Sequence, residues 1–109
     1  MIELAKTCIP LELEEEMLRH RVALSHAGGD LDYESARRLA DAEVARRDPD
    51  PMLLAWYDRR AGRFSPNVEC CDETKPAWLV YAESRGAHLA VTVNGLDYVF
   101  VYRLSGGGG

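Results

Sequence analysis

The spacing of hydrophobic positions changes along this chain, and each change marks an element. Between 33 and 47, Tyr33, Ala36, Leu39, Ala40 and Val44 recur three and four apart, on one side of a helix. Asp30 or Asp32 can cap it, because a short acidic side chain accepts from the free N–H groups of a first turn. Glu34 with Arg38 and Glu43 with Arg47 are four-apart pairs on the wet side. Asp48-Pro49-Asp50-Pro51 ends the pattern, since the residue before a proline avoids helical geometry.

After Pro51 the period shortens to two. Met52 to Tyr57 reads as a buried strand. Trp78 to Glu83 reads as another, with Trp78, Val80 and Ala82 on one face, and Ser84-Arg85-Gly86 turns the chain. Leu89, Val91 and Val93 form one face of the next. Asn94-Gly95 is a strong hairpin signal, because both residues tolerate positive φ. Leu96 to Leu104 is the last strand, aromatic and β-branched from Tyr98 to Tyr102. Nearer the start, Val22 and Leu24 alternate within residues 20–26, as in an edge strand. Pro10 followed by Glu12, Glu14, Glu15 and Glu16 suits the start of a short helix over 10–19, the alternative being a charged arm. The predicted fold is α+β: one main helix over 33–47 packed on a curved antiparallel sheet of three to five strands.

The 109 residues are 47% hydrophobic and 28% charged, which is ordinary for one globular domain. We read residues 1–104 as that domain and 105–109, Ser105 with four glycines, as a flexible tail. The net charge of −5 argues against binding to nucleic acid or to an anionic membrane surface. No apolar run approaches the length of a membrane span, and the first residues lack the basic and apolar regions of a signal peptide, so a cytoplasmic location is expected. Cys8, Cys70 and Cys71 make a poor disulfide framework, and reduced thiols fit a reducing compartment.

The stretch from Asp58 to Lys75 is the expected place for chemistry: it is a long loop carrying Arg59, Arg60, Arg63, Glu69, Cys70, Cys71, Asp72 and Glu73. Cys70 and Cys71 are the candidate reactive thiols, with Asp58, Arg59 and Glu69 as supporting residues. Nearby cations would lower a thiol pKa, whereas Glu69, Asp72 and Glu73 would raise it. Adjacent cysteines lack the spacing of a structural zinc site, so no metal is assigned. Arg59 and Arg60, with Arg63 and Lys75, could form a small anion site, or simply be solvated charge at element ends. The histidines His20, His26 and His88 sit in no nucleophile–base signature, with His20 and His26 read as surface residues near a sheet edge, so no catalytic residue is assigned either.

Ala55-Trp56-Tyr57-Asp58-Arg59, Ser65-Pro66-Asn67-Val68-Glu69-Cys70-Cys71, Lys75-Pro76 and Tyr81-Ala82-Glu83-Ser84-Arg85-Gly86 together resemble a small prokaryotic family of sulfate-reducing archaea and bacteria. The resemblance covers about half the chain, and that family carries no established activity. It implies an anaerobic cytosol, in keeping with free thiols, and transfers no catalytic residue.

The sequence therefore supports a non-catalytic binding or accessory domain with no cofactor that can be named. Its partner would be a second copy, paired through a last strand at the sheet edge, or a different protein. The alternative is a redox or sulfur-handling protein built on Cys70 and Cys71 in the 58–75 loop.

Overall fold

A computed structural model describes residues 13, 17, 18, 20–26, 31–66 and 76–105. Its elements in chain order are β1 (Arg21–Leu24), α1 (Tyr33–Ala45), β2 (Met52–Asp58), β3 (Arg63–Ser65), α2 (Ala77–Ser84), β4 (Leu89–Val93) and β5 (Tyr98–Arg103). The five strands form one open sheet in the order β1-β4-β5-β2-β3. The expected helix over 10–19 and the glycines at 106–109 lie mainly or wholly outside the described residues.

Alternation along the central strands sorts their side chains between two helices. Leu89, Val91 and Val93 of β4 and Tyr98, Phe100 and Tyr102 of β5 face α1, meeting its buried Ala36, Ala40 and Val44. Ala90, Val99 and Val101 point the other way, onto Trp78, Leu79 and Ala82 of α2. Three small or β-branched residues on the inner side of α1 let that helix approach the sheet closely. Tyr33 fills the space beside them, its ring 4.7 Å from Trp56 and 5.6 Å from Phe100. Asp32 is the N-cap: its Oδ1 accepts the Ser35 N–H at 2.8 Å, and this bond holds its carboxyl below the usual range. On the outer side Glu43 takes both Arg46 and Arg47, at 3.0 and 2.9 Å.

Four expectations need correction. The sheet is mixed, because β1 runs parallel to β4 while the other pairs are antiparallel. The segment expected as a strand over 78–83 is helix α2, which puts a second helix on the opposite face of the sheet. The last strand is central rather than an edge: β5 lies between β4 and β2, with Tyr98 through Tyr102 all buried. An unbroken buried run of that kind belongs to a strand covered on both faces. The loop from Asp58 onward begins as a hairpin, with β3 returning against β2 so that Asp58 opposes Arg63.

The reason for α2 lies at its ends. The Gly86 N–H donates to the Glu83 carbonyl at 3.2 Å, and the Ala87 N–H to the Ala82 carbonyl at 3.0 Å. This double bond pattern is the Schellman closure of a helix, and it requires a left-handed residue, here Gly86 with φ +91°. The predicted hairpin between β4 and β5 is present, with φ of +54° at Asn94 and +72° at Gly95. The Asn94 side chain reaches further, accepting the His26 N–H at 2.8 Å and tying the end of β1 to the same turn.

Candidate functional site

The β2–β3 turn meets the N-terminal end of α1, and the junction is the strongest candidate site among the described residues. Asp58 ends β2 opposite Tyr98 of β5, on the α1 side of the sheet. Its carboxylate is almost wholly buried, and Oδ1 accepts the Ala61 N–H at 3.1 Å, which shapes the tight turn into β3. The turn in turn aims Arg60 back at α1, where Nη1 donates to the Leu31 carbonyl at 3.2 Å. The buried hydroxyl of Tyr98 donates to the same carbonyl at 2.7 Å. Burial, and next the charge of Asp58, push the Tyr98 phenol above its ordinary pKa, so it stays a neutral donor.

These groups line a shallow, widely open recess formed by Leu31, Asp32, Tyr33, Asp58, Arg60, Ala61 and Tyr98. Its chemistry is mixed, with one guanidinium, Arg60, against the two carboxylates of Asp32 and Asp58. That guanidinium, with five donors in a planar fork, sits beside the positive end of the α1 dipole. The buried Asp58 carboxylate in the same lining accepts the Ala61 N–H through Oδ1, and its Oδ2 is unbonded to any described residue. Such a pair suits a small ligand with an acidic group for Arg60 and a hydrogen-bond donor for Asp58.

The expected site residues divide. Asp58 lines the recess. Arg59 turns away: its N–H donates to the Asp97 carbonyl at 2.9 Å and its guanidinium pairs with the Asp97 carboxylate, pinning the β2–β3 turn to the β4–β5 turn. Glu69, Cys70 and Cys71 lie outside the described residues. Of the arginine cluster, only Arg60 enters the recess; Arg63 is exposed on β3. Tyr98 and Leu31 were not legible as site residues. Tyr98 is one aromatic in an apolar strand, and the Leu31 carbonyl is a backbone atom with no sequence signal.

Residues 19–102 match the family described as Domain of unknown function (DUF5619). An uncharacterized protein of Archaeoglobus fulgidus is 38% identical over 77 residues, spanning 71% of this chain and 81% of that one. A crystal structure of a novel protein from the same archaeon superposes with a TM-score of 0.68 at 30% identity, covering 81% of this chain and 96% of that chain. The resemblance to a small prokaryotic family with a sulfate-reducing member is thereby confirmed, and the chain belongs to the DUF5619 family.

Proposed function

We propose that this chain is a non-catalytic binding domain of the cytoplasm that holds a small acidic ligand in the recess between α1 and the β2–β3 turn. The observation that carries this reading is the Arg60–Asp58 arrangement. Two opposite charges from one tight turn line the same recess, each held by a different backbone group, with the Asp32 carboxylate, itself bonded to the Ser35 N–H, in the same lining. A guanidinium so placed recognises a planar anion, and a largely buried carboxylate rejects a ligand that cannot donate to it. Glycine, glycolate and inorganic phosphate are suitable probes, since the first two carry an acid beside a donor and the third carries an anion alone. Titration followed by amide NMR should move Leu31, Arg60 and Ala61, and Arg60→Ala should remove the response. An equal response in Arg60→Ala would discard the site. The net charge of −5 speaks against nucleic acid as the ligand.

The reading also allows the domain to act as a dimer. Strand β1 is at a sheet edge with Arg21 and Ala23 exposed, and an edge strand offers backbone donors and acceptors to another strand. Sedimentation showing a strict monomer at high concentration would remove the dimer and leave the recess untouched.

The second reading is a redox or sulfur-handling site on Cys70 and Cys71. Its support is the adjacency of two thiols in the segment that follows the β2–β3 hairpin. Equal, slow alkylation of all three cysteines in the folded protein would sink it, because a reactive thiol needs a lowered pKa and access.

A further inference from the structure

Parallel pairing brings together the residues that precede two strands far apart in sequence. His20 directly precedes β1, and His88 directly precedes β4. Their rings stack with centroids 4.9 Å apart and planes at 21°. Both residues are exposed. Both backbones are fixed: the His20 carbonyl accepts the Ala90 N–H at 3.3 Å, and the His88 N–H donates to the Tyr102 carbonyl at 2.8 Å. His20 also has φ of +49°, in the left-handed region that side chains seldom occupy. Backbone held in such a region recurs at functional sites. Neither imidazole hydrogen-bonds to another described side chain.

We propose that His20 and His88 form an open two-histidine site for a divalent transition metal of the zinc, nickel and copper group. Neutral imidazole is the preferred ligand of these ions. Metal–nitrogen bonds of about 2.0–2.1 Å place two ligand nitrogens on one ion about 3 Å apart. Exposed rings with centroids 4.9 Å apart are close enough to share one ion once they turn out of their stack, since an imidazole nitrogen binds in the plane of its ring. Among the described residues no group of three or more ligands forms, in keeping with an exchangeable rather than a structural site. Linear spacing could not reveal the pair, because the two histidines meet only through the β1–β4 register.

The test uses the full chain, kept reduced, titrated with zinc chloride while the imidazole ¹⁵N resonances are followed. The resonances of His20 and His88 should shift together to one equivalent, with His26 unmoved. His20→Asn and His88→Asn should each weaken binding by about tenfold or more, at least what loss of an outer-shell partner costs. His26→Asn should not. Zinc taken up elsewhere, at the thiols for example, would leave both resonances in place and overturn the proposal. Should either variant fail to fold, the wild-type resonances still decide the question.

Discussion

Replacing Gly86 with alanine tests why residues 77–84 are a helix. Gly86 closes α2 at φ +91°, a conformation that costs an ordinary L-residue about 1–2 kcal/mol. Alanine also restricts the unfolded chain, which returns about 0.4–1 kcal/mol. Its Cβ would stand 3.2 Å from Cδ of Arg103, the flexible part of an exposed side chain that can move aside. The net loss should be about 1 kcal/mol. With an m-value of about 1–2 kcal/mol per molar in urea for a chain of this size, the midpoint should fall by about 0.5–1 M. Gly86→Asn should cost less, since asparagine enters the left-handed region more readily. An alanine variant with an unchanged or raised midpoint would refute the reasoning, because the Schellman closure would then not depend on a left-handed residue.

Tyr98→Phe removes the buried hydroxyl on the Leu31 carbonyl while Arg60 keeps that oxygen bonded, so it should cost about 1 kcal/mol, read as a fall of about 4–8 °C in Tm. Val44→Ala opens a gap between α1 and the sheet and should cost about 1–3 kcal/mol, whereas Arg46→Ala, on the wet side, should stay within about 0.5 kcal/mol by urea unfolding. Glu43 has its pKa held below the ordinary 4.5, first by its hydrogen bond from Arg47, so its contribution is present above that value and lost as pH falls through the folded one. The stability gap between wild type and Glu43→Gln, measured by urea unfolding across pH, should therefore close on acidification. Asp32→Ala should lower Tm and Asp32→Ser should largely restore it, because serine can still accept the Ser35 N–H.

Elements whose signals are local were readable from the sequence. Helix α1 shows its face through Tyr33, Ala36, Leu39, Ala40 and Val44 and its start through Asp30 or Asp32, of which Asp32 is the cap, and the β4–β5 turn shows itself through Asn94-Gly95. Residues 78–83 read as a strand rather than helix α2 because Trp78-Leu79-Val80-Tyr81 is rich in strand-favouring residues and too short for periodicity to decide. Pro76 before it and Gly86 after it were the better guides, as a helix start and stop. Strand β3, only Arg63-Phe64-Ser65, has no pattern of its own and exists through pairing with β2. The parallel register of β1 and the central place of β5 are long-range outcomes that no local window contains. The same limit applies to the site. Asp58 and the arginine pair could be singled out by type, but only the fold shows that Arg59 is committed to Asp97 while Arg60 turns into the recess.

We propose above that the recess beside α1 binds a small acidic ligand through Arg60 and Asp58. The most direct measurement is an amide NMR titration of the wild-type chain with glycolate, repeated on Arg60→Ala and Arg63→Ala. Saturable shifts are expected at Leu31, Arg60 and Ala61, persisting in Arg63→Ala and vanishing in Arg60→Ala. Shifts spread over all exposed arginines, or equally present in Arg60→Ala, would contradict it.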